Sequence, residues 1–148
     1  MASAMGFNAS LEQLVDTFNL IATNHSQLNS FYQGEVWDIT TKVKENYPLL
    51  AVTILPANLA LQTLTYNFRL YCMDLVYPDQ KNEVEVKSDM LSVMWDIPQL
   101  LDRNFDLSIT YNQATPLEES LDDVVAGWYM DIAIETPRTY TNCDVPLK

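Results

Sequence analysis

The chain has 148 residues, 48% of them hydrophobic and 19% charged; that is one domain's length with enough apolar side chain for a real core, and it excludes collagen-like repeats and low-complexity disorder. Only 3 glycines against 7 prolines rule out most Gly-dependent motifs. With 20 acidic and 8 basic side chains the net charge is -12, which opposes a sequence-independent grip on nucleic acid or anionic membrane, because that grip works by Lys and Arg displacing counterions.

The N-terminal MASAMGFNAS has neither a basic n-region nor an apolar h-region, so no signal peptide is expected and synthesis in a reducing cytoplasm fits best. Ser10 begins Ser-Leu-Glu-Gln, a capping box, and Leu11, Leu14, Val15, Phe18 and Ile21 follow at helical spacing, predicting a helix over 10–24 that Asn24 and His25 close. Phe31 to Ile39 reads as a strand around Val36, Trp37 and Ile39, and Pro48 to Leu55 as another, ended by Pro56. From Leu61 to Val76, Leu64, Tyr66, Phe68, Leu70 and Cys72 alternate with Thr63, Thr65, Asn67, Arg69 and Tyr71, the period-two signature of a long central strand with one buried face.

After the turn at Tyr77, Pro78 and Asp79, a second helix is expected from Glu83 to Arg103, with Val86, Met90, Val93, Met94, Ile97 and Leu101 on its buried stripe. Pro98 should kink or end it near Ile97. Phe105, Leu107, Ile109 and Tyr111 then alternate as a strand, as do Val124, Ala126, Trp128, Met130, Ile132 and Ile134, until Pro137 stops the ladder. The order α-β-β-β-α-β-β has no alternating βαβ units, so the expected architecture is α+β: a mostly antiparallel sheet with two helices packed on one face. Residues 1–137 form the domain and 138–148 a C-terminal arm.

No catalytic constellation stands out. The single histidine, His25, sits at a helix exit, where its ring faces the negative end of the dipole, and it has no partner set in the sequence. Gly-x-Ser-x-Gly, P-loop, dinucleotide and His-Glu-x-x-His patterns are all missing. Cys72 and Cys143 lack the spacing of a zinc or redox site, and Cys72 is expected as a buried thiol. Glu118, Glu119, Asp122 and Asp123 would be neighbours on a helix and could then hold a hard cation, but the EF-hand spacing is missing and a solvated charged turn is the simpler reading. Trp95 and Trp128 are expected in the core; Trp37 reads as an edge or interface residue. Neither metal nor cofactor is expected.

Three segments, Tyr66-Asn-Phe-Arg-Leu-Tyr-Cys-Met-Asp-Leu-Val76, Glu85-Val-Lys-Ser-Asp-Met-Leu91 and Val125-Ala-Gly-Trp-Tyr-Met-Asp-Ile-Ala-Ile-Glu-Thr-Pro137, resemble small virion proteins of tailed bacteriophages. The likeness is to neck and tail-completion proteins, tail-terminator-like and ring proteins, those of crAss-like and other phages of Bacteroidetes especially. It covers Leu11 to Pro137. The resemblance implies a structural, non-enzymatic subunit of the virion neck or tail, in a homo-oligomeric ring of about six or twelve copies. Such a ring joins neighbouring portal, connector or tail proteins, and DNA passes through it without specific binding. On that expectation Trp37, Arg138, Tyr140 and Val145 are interface candidates, and Glu118, Glu119, Asp122 and Asp123 a DNA-repelling acidic surface. The alternative from another class is a small acidic adaptor or protein-binding domain.

Overall fold

A computed structural model describes residues 10–35, 47–75, 83–105, 108–116 and 125–137. In chain order these form helix α1 (Leu11–Asn24), strands β1 (Ser30–Gln33), β2 (Leu49–Ile54), β3 (Asn58–Leu59) and β4 (Thr63–Leu75), helix α2 (Glu83–Phe105), and strands β5 (Ser108–Pro116) and β6 (Val125–Pro137). The strands make one six-stranded sheet ordered β1-β2-β4-β6-β5, with β3 beside β4 beyond the end of β2. Among the described residues the pairings are antiparallel except β1 with β2. The α+β class is therefore as expected, with one short strand, β3, added to the order.

The start of α1 is set locally. Ser10 Oγ accepts from the Gln13 amide and Gln13 Oε1 accepts from the Ser10 amide, at 3.2 and 2.8 Å, so two amides that a helix start leaves unsatisfied are paired reciprocally. The helix buries Leu14, Thr17, Phe18, Ile21 and Ala22. Thr17 is polar yet buried, and its hydroxyl donates to the Gln13 carbonyl at 2.8 Å. Phe18 meets Phe68 of β4 edge to face, centroids 5.1 Å apart, the geometry that sets a positive ring edge against a negative face.

Both helices cover the sheet face made by Leu50 and Val52, by Phe68, Leu70 and Cys72, and by Ala126, Met130, Ile132 and Ile134. Helix α2 contributes Val86, Met90, Val93, Met94, Ile97 and Leu101 to that core, the stripe expected from the sequence. It does not end at Pro98 but runs through it to Phe105. The missing amide and ring clash cost about 3 kcal/mol. Ile97 and Leu101, both fully buried, each return roughly 1.5–3 kcal/mol when removed from water, so continuing the helix wins. Trp128 also behaves as expected: it packs against the core, and its indole Nε1–H donates to the Lys87 carbonyl at 2.7 Å, tying β6 to α2.

Three expectations are corrected. Trp95 is not in the core but 68% exposed; at 100° per residue it points roughly 150° away from the centre of the buried stripe, so nearness in sequence to Met94 misleads. The strand expected over Phe31 to Ile39 lies earlier, at Ser30–Gln33, and stops where Gly34 adopts φ +154°, a conformation L side chains rarely take; Val36, Trp37 and Ile39 lie outside the described residues. Phe105 belongs to α2, and β5 begins at Ser108. Arg138, Tyr140, Val145, Glu118, Glu119, Asp122 and Asp123 likewise lie outside the described residues.

The alternation in β4 also changes along its length. From Leu70 to Met73 every residue is buried, because the opposite face carries a second cluster of Tyr47, Leu49, Ala51, Tyr71, Met73 and Val125, with Tyr32 and Tyr129 against it. The sheet is one-sided at one end of β4 and two-sided at the other. At the two-sided end β4 and β6 approach closely: a Cβ built on Gly127 would stand 2.0 Å from the Cys72 carbonyl oxygen and 2.9 Å from Met73 Cα. Backbone offers no flexible end to move aside. Replacing Gly127 with Ala should therefore destabilise by about 2 kcal/mol or more, as overpacking does, read as a lower urea midpoint at unchanged m-value. A midpoint equal to that of the unaltered protein would contradict this close approach.

Candidate functional site

A groove of about 700 Å³ lies between the C-terminal end of α1 and one flank of α2. Leu20, Ile21, Asn24 and His25 come from the first, and Ser92, Asp96 and Leu100 from the second. His25 is the C-cap of α1, its amide bonded to the Ile21 carbonyl at 2.9 Å. Its ring is held from both sides: Nε2 lies 2.9 Å from Asp96 Oδ2, and Nδ1 accepts from the Gln27 amide at 3.1 Å. An Nδ1 that accepts leaves the proton of the neutral ring on Nε2, where it donates to Asp96.

This geometry decides what the groove can do. Ser92 lies one helical turn before Asp96, so a serine, a histidine and an aspartate line the same groove. A serine nucleophile, however, needs an imidazole nitrogen within hydrogen-bond reach and free to take its proton. Here one ring nitrogen holds a backbone amide and the other holds the carboxylate. The pair fastens the exit of α1 to the middle of α2. The groove keeps a negative character from Asp96, 55% exposed at its side chain, and from the carbonyl end of α1.

A second polar assembly occupies the sheet face away from the helices. Arg69 of β4 and Asp131 of β6 are register partners, joined by two bonds from Nε and Nη2 at 2.7 and 3.1 Å. The guanidinium also stands 5.1 Å from the centre of the Tyr129 ring, and Tyr129 pairs with Tyr71 at 5.9 Å. The hydrogen bonds to Asp131 push the Arg69 pKa up, against a smaller opposing effect of burial. A cation committed to a bidentate carboxylate and an aromatic face is not available to a phosphate.

Other titratable groups answer to burial. Desolvation raises the pKa of the Cys72 thiol, which fits an inert core cysteine and agrees with the expectation for that residue. Tyr71 is raised mainly by burial. Asp74, at the end of β4, is raised first by desolvation and then by the charge of Asp89, while the Leu75 amide at 2.8 Å opposes the shift. Among the described residues there is no group of three or more His, Cys, Asp or Glu placed to hold a metal ion, and no helix long and apolar enough to cross a membrane.

Residue by residue, the site differs from the sequence reading. His25 stands at the helix exit as expected, but its partner Asp96 is 71 positions away; the Arg69–Asp131 pair was likewise missed because register is not visible in one strand alone. The exposed apolar positions of α2, Val84, Leu91 and Trp95, did carry a signal: their spacing of 7 and 4 marks a second helical stripe beside the buried one. Compared with protein-family models and with curated proteins, the chain matches none.

Because Asp74 is harder to ionise in the folded state than in the unfolded chain, its charge lowers stability above the folded-state pKa and has no effect below the unfolded one. Asp74→Asn keeps an acceptor for the Leu75 amide and should raise the urea midpoint at pH 7, with the difference closing as pH falls through the ordinary carboxylate range. A difference that instead widens on acidification would show the shift to have the opposite sign.

Proposed function

We propose that the chain is a structural subunit of the neck or tail of a tailed bacteriophage, non-catalytic, assembling into a closed ring of about six or twelve copies through which DNA passes. The observation that supports this best is the sheet order β1-β2-β4-β6-β5, in which, among the described residues, two unlike strands, β1 and β5, stand outermost at opposite sides of one sheet. Joining the β5 edge of one copy to the β1 side of the next is a heterologous contact. Repeated with a rotation that closes, such contacts make rings; an edge strand presents amides and carbonyls ready for the pairing.

The sequence resemblance across Leu11 to Pro137 points the same way. So does charge: from Asn104 to Pro137 there are seven acidic residues and no Lys or Arg, and Arg69 is neutralised by Asp131. A channel wall of that kind repels DNA and lets it slide. In this reading Trp37, Arg138, Tyr140 and Val145 contribute to contacts between subunits, and portal, connector or tail proteins lie above and below. A second reading, a small acidic protein-binding domain, is favoured by the exposed apolar stripe on α2.

Light scattering after size exclusion, with negative-stain imaging, tests the proposal. Rings are expected for the isolated protein or in the virion. Thr110→Lys with Asn112→Lys, which set charge along the exposed β5 strand, should lower ring yield with the circular dichroism spectrum unchanged. A sharply monomeric mass in both settings sinks the ring reading.

A further inference from the structure

Helix α2 has two faces, and among the described residues only one packs into the core. Opposite the core stripe, Val84, Leu91 and Trp95 are 79%, 41% and 68% exposed. On a helical projection they lie within about 40° of one another and span roughly 16 Å of axis. Three large apolar side chains aligned on solvent are unlike the scattered single exposures usual on a monomer surface. On their flank, about 120° around the helix, runs a column of exposed carboxylates, Glu85, Asp89 and Asp96. Asp96 brings that column to the acidic groove at the end of α1.

We infer that this face docks a basic amphipathic helix of a different protein. Its apolar anchors would cover Val84, Leu91 and Trp95, and its Lys and Arg residues on one flank would meet Glu85, Asp89 and Asp96. Charge complementarity selects this occupant. A second copy packed antiparallel on the stripe sets the two carboxylate columns side by side, and each copy carries a net charge of -12. A helix with cations on that flank turns the same column into an attraction and meets the carbonyl end of α1 with favourable charge. Trp95 supplies the large aromatic anchor on which helix-in-groove contacts depend. The inference concerns the helix layer and does not rest on the ring.

The probe is a yeast-displayed library of 21-residue helical peptides with a fixed leucine stripe and one flanking column randomised among Lys, Gln and Glu, selected on the full-length protein. Lys-rich winners are expected. Their Kd should weaken about tenfold or more with Trp95→Ala and with Asp89→Lys, and should weaken with added salt. Both side chains are exposed, so circular dichroism of the variants should match that of the unaltered protein. Neutral or acidic winners, no winners, or binding indifferent to Trp95→Ala overturns the inference. So does sedimentation equilibrium in which Trp95→Ala dissociates an oligomer of the unaltered protein, since a second copy then occupies the stripe. A monomeric protein that still selects Lys-rich, Trp95-dependent peptides upholds the docking face while the ring reading fails.

Discussion

The pairing of β4 with β6 is the constraint on which the remaining structure depends. The two strands, each of 13 residues, run in unbroken antiparallel register from Thr63 opposite Pro137 to Leu75 opposite Val125. A slip by one residue would turn Phe68, Leu70, Met130 and Ile132 to the wrong side of the sheet and empty the core beneath both helices. Three contacts hold the register at separate heights. Gly127 admits the Cys72 carbonyl at the two-sided end, Arg69 grips Asp131 in the middle, and the buried Thr136 hydroxyl donates to the Leu64 carbonyl at 3.0 Å near the other end. Once that ribbon exists, β2 and β5 add at its two sides, Phe18 docks α1 on Phe68, and Trp128 docks α2 through the Lys87 carbonyl.

Electrostatics divides the molecule differently from packing. The face away from the helices neutralises its arginine internally, whereas the outer side of α2 carries carboxylates in a column. The single histidine is spent on joining the two helices, with Asp96 as its carboxylate partner. A single hydrogen bond to a carboxylate that is 55% exposed contributes about 1 kcal/mol net. It therefore positions the end of α1 more than it stabilises the domain, and the main stabilisation remains apolar burial on the sheet.

Local signals in the sequence were legible because they are complete within a few residues. The capping box at Ser10 and Gln13, the alternation of Tyr66 to Cys72, and that of Ala126 to Ile134 each state their own geometry. What failed needed information from elsewhere in the chain. Pro98 argued for a helix end, and only the burial of Ile97 and Leu101 against the sheet overrides it. Tyr71 falls on the side that alternation leaves exposed, but a second cluster with Tyr47, Leu49 and Met73 covers it. Trp95 reads as core by residue type and by its closeness to the apolar stripe, although its phase on the helix places it outside. Partners such as His25 with Asp96, or Arg69 with Asp131, are set by tertiary register, which one strand or helix does not encode.

The layered arrangement has a consequence for how such a subunit could assemble. Contacts made through β1 and β5 lie in the plane of the sheet, while the stripe on α2 points out of the helix layer. A contact in the plane consumes backbone hydrogen-bonding groups and depends less on side-chain shape than on the absence of edge charge, so it suits identical copies that repeat around an axis. A contact on the α2 face consumes side chains of defined size and charge, so it discriminates between partners. Because the two kinds of surface share no residues, occupancy of one does not exclude the other, and the proposed ring contact and the proposed helix-docking contact are compatible on one chain.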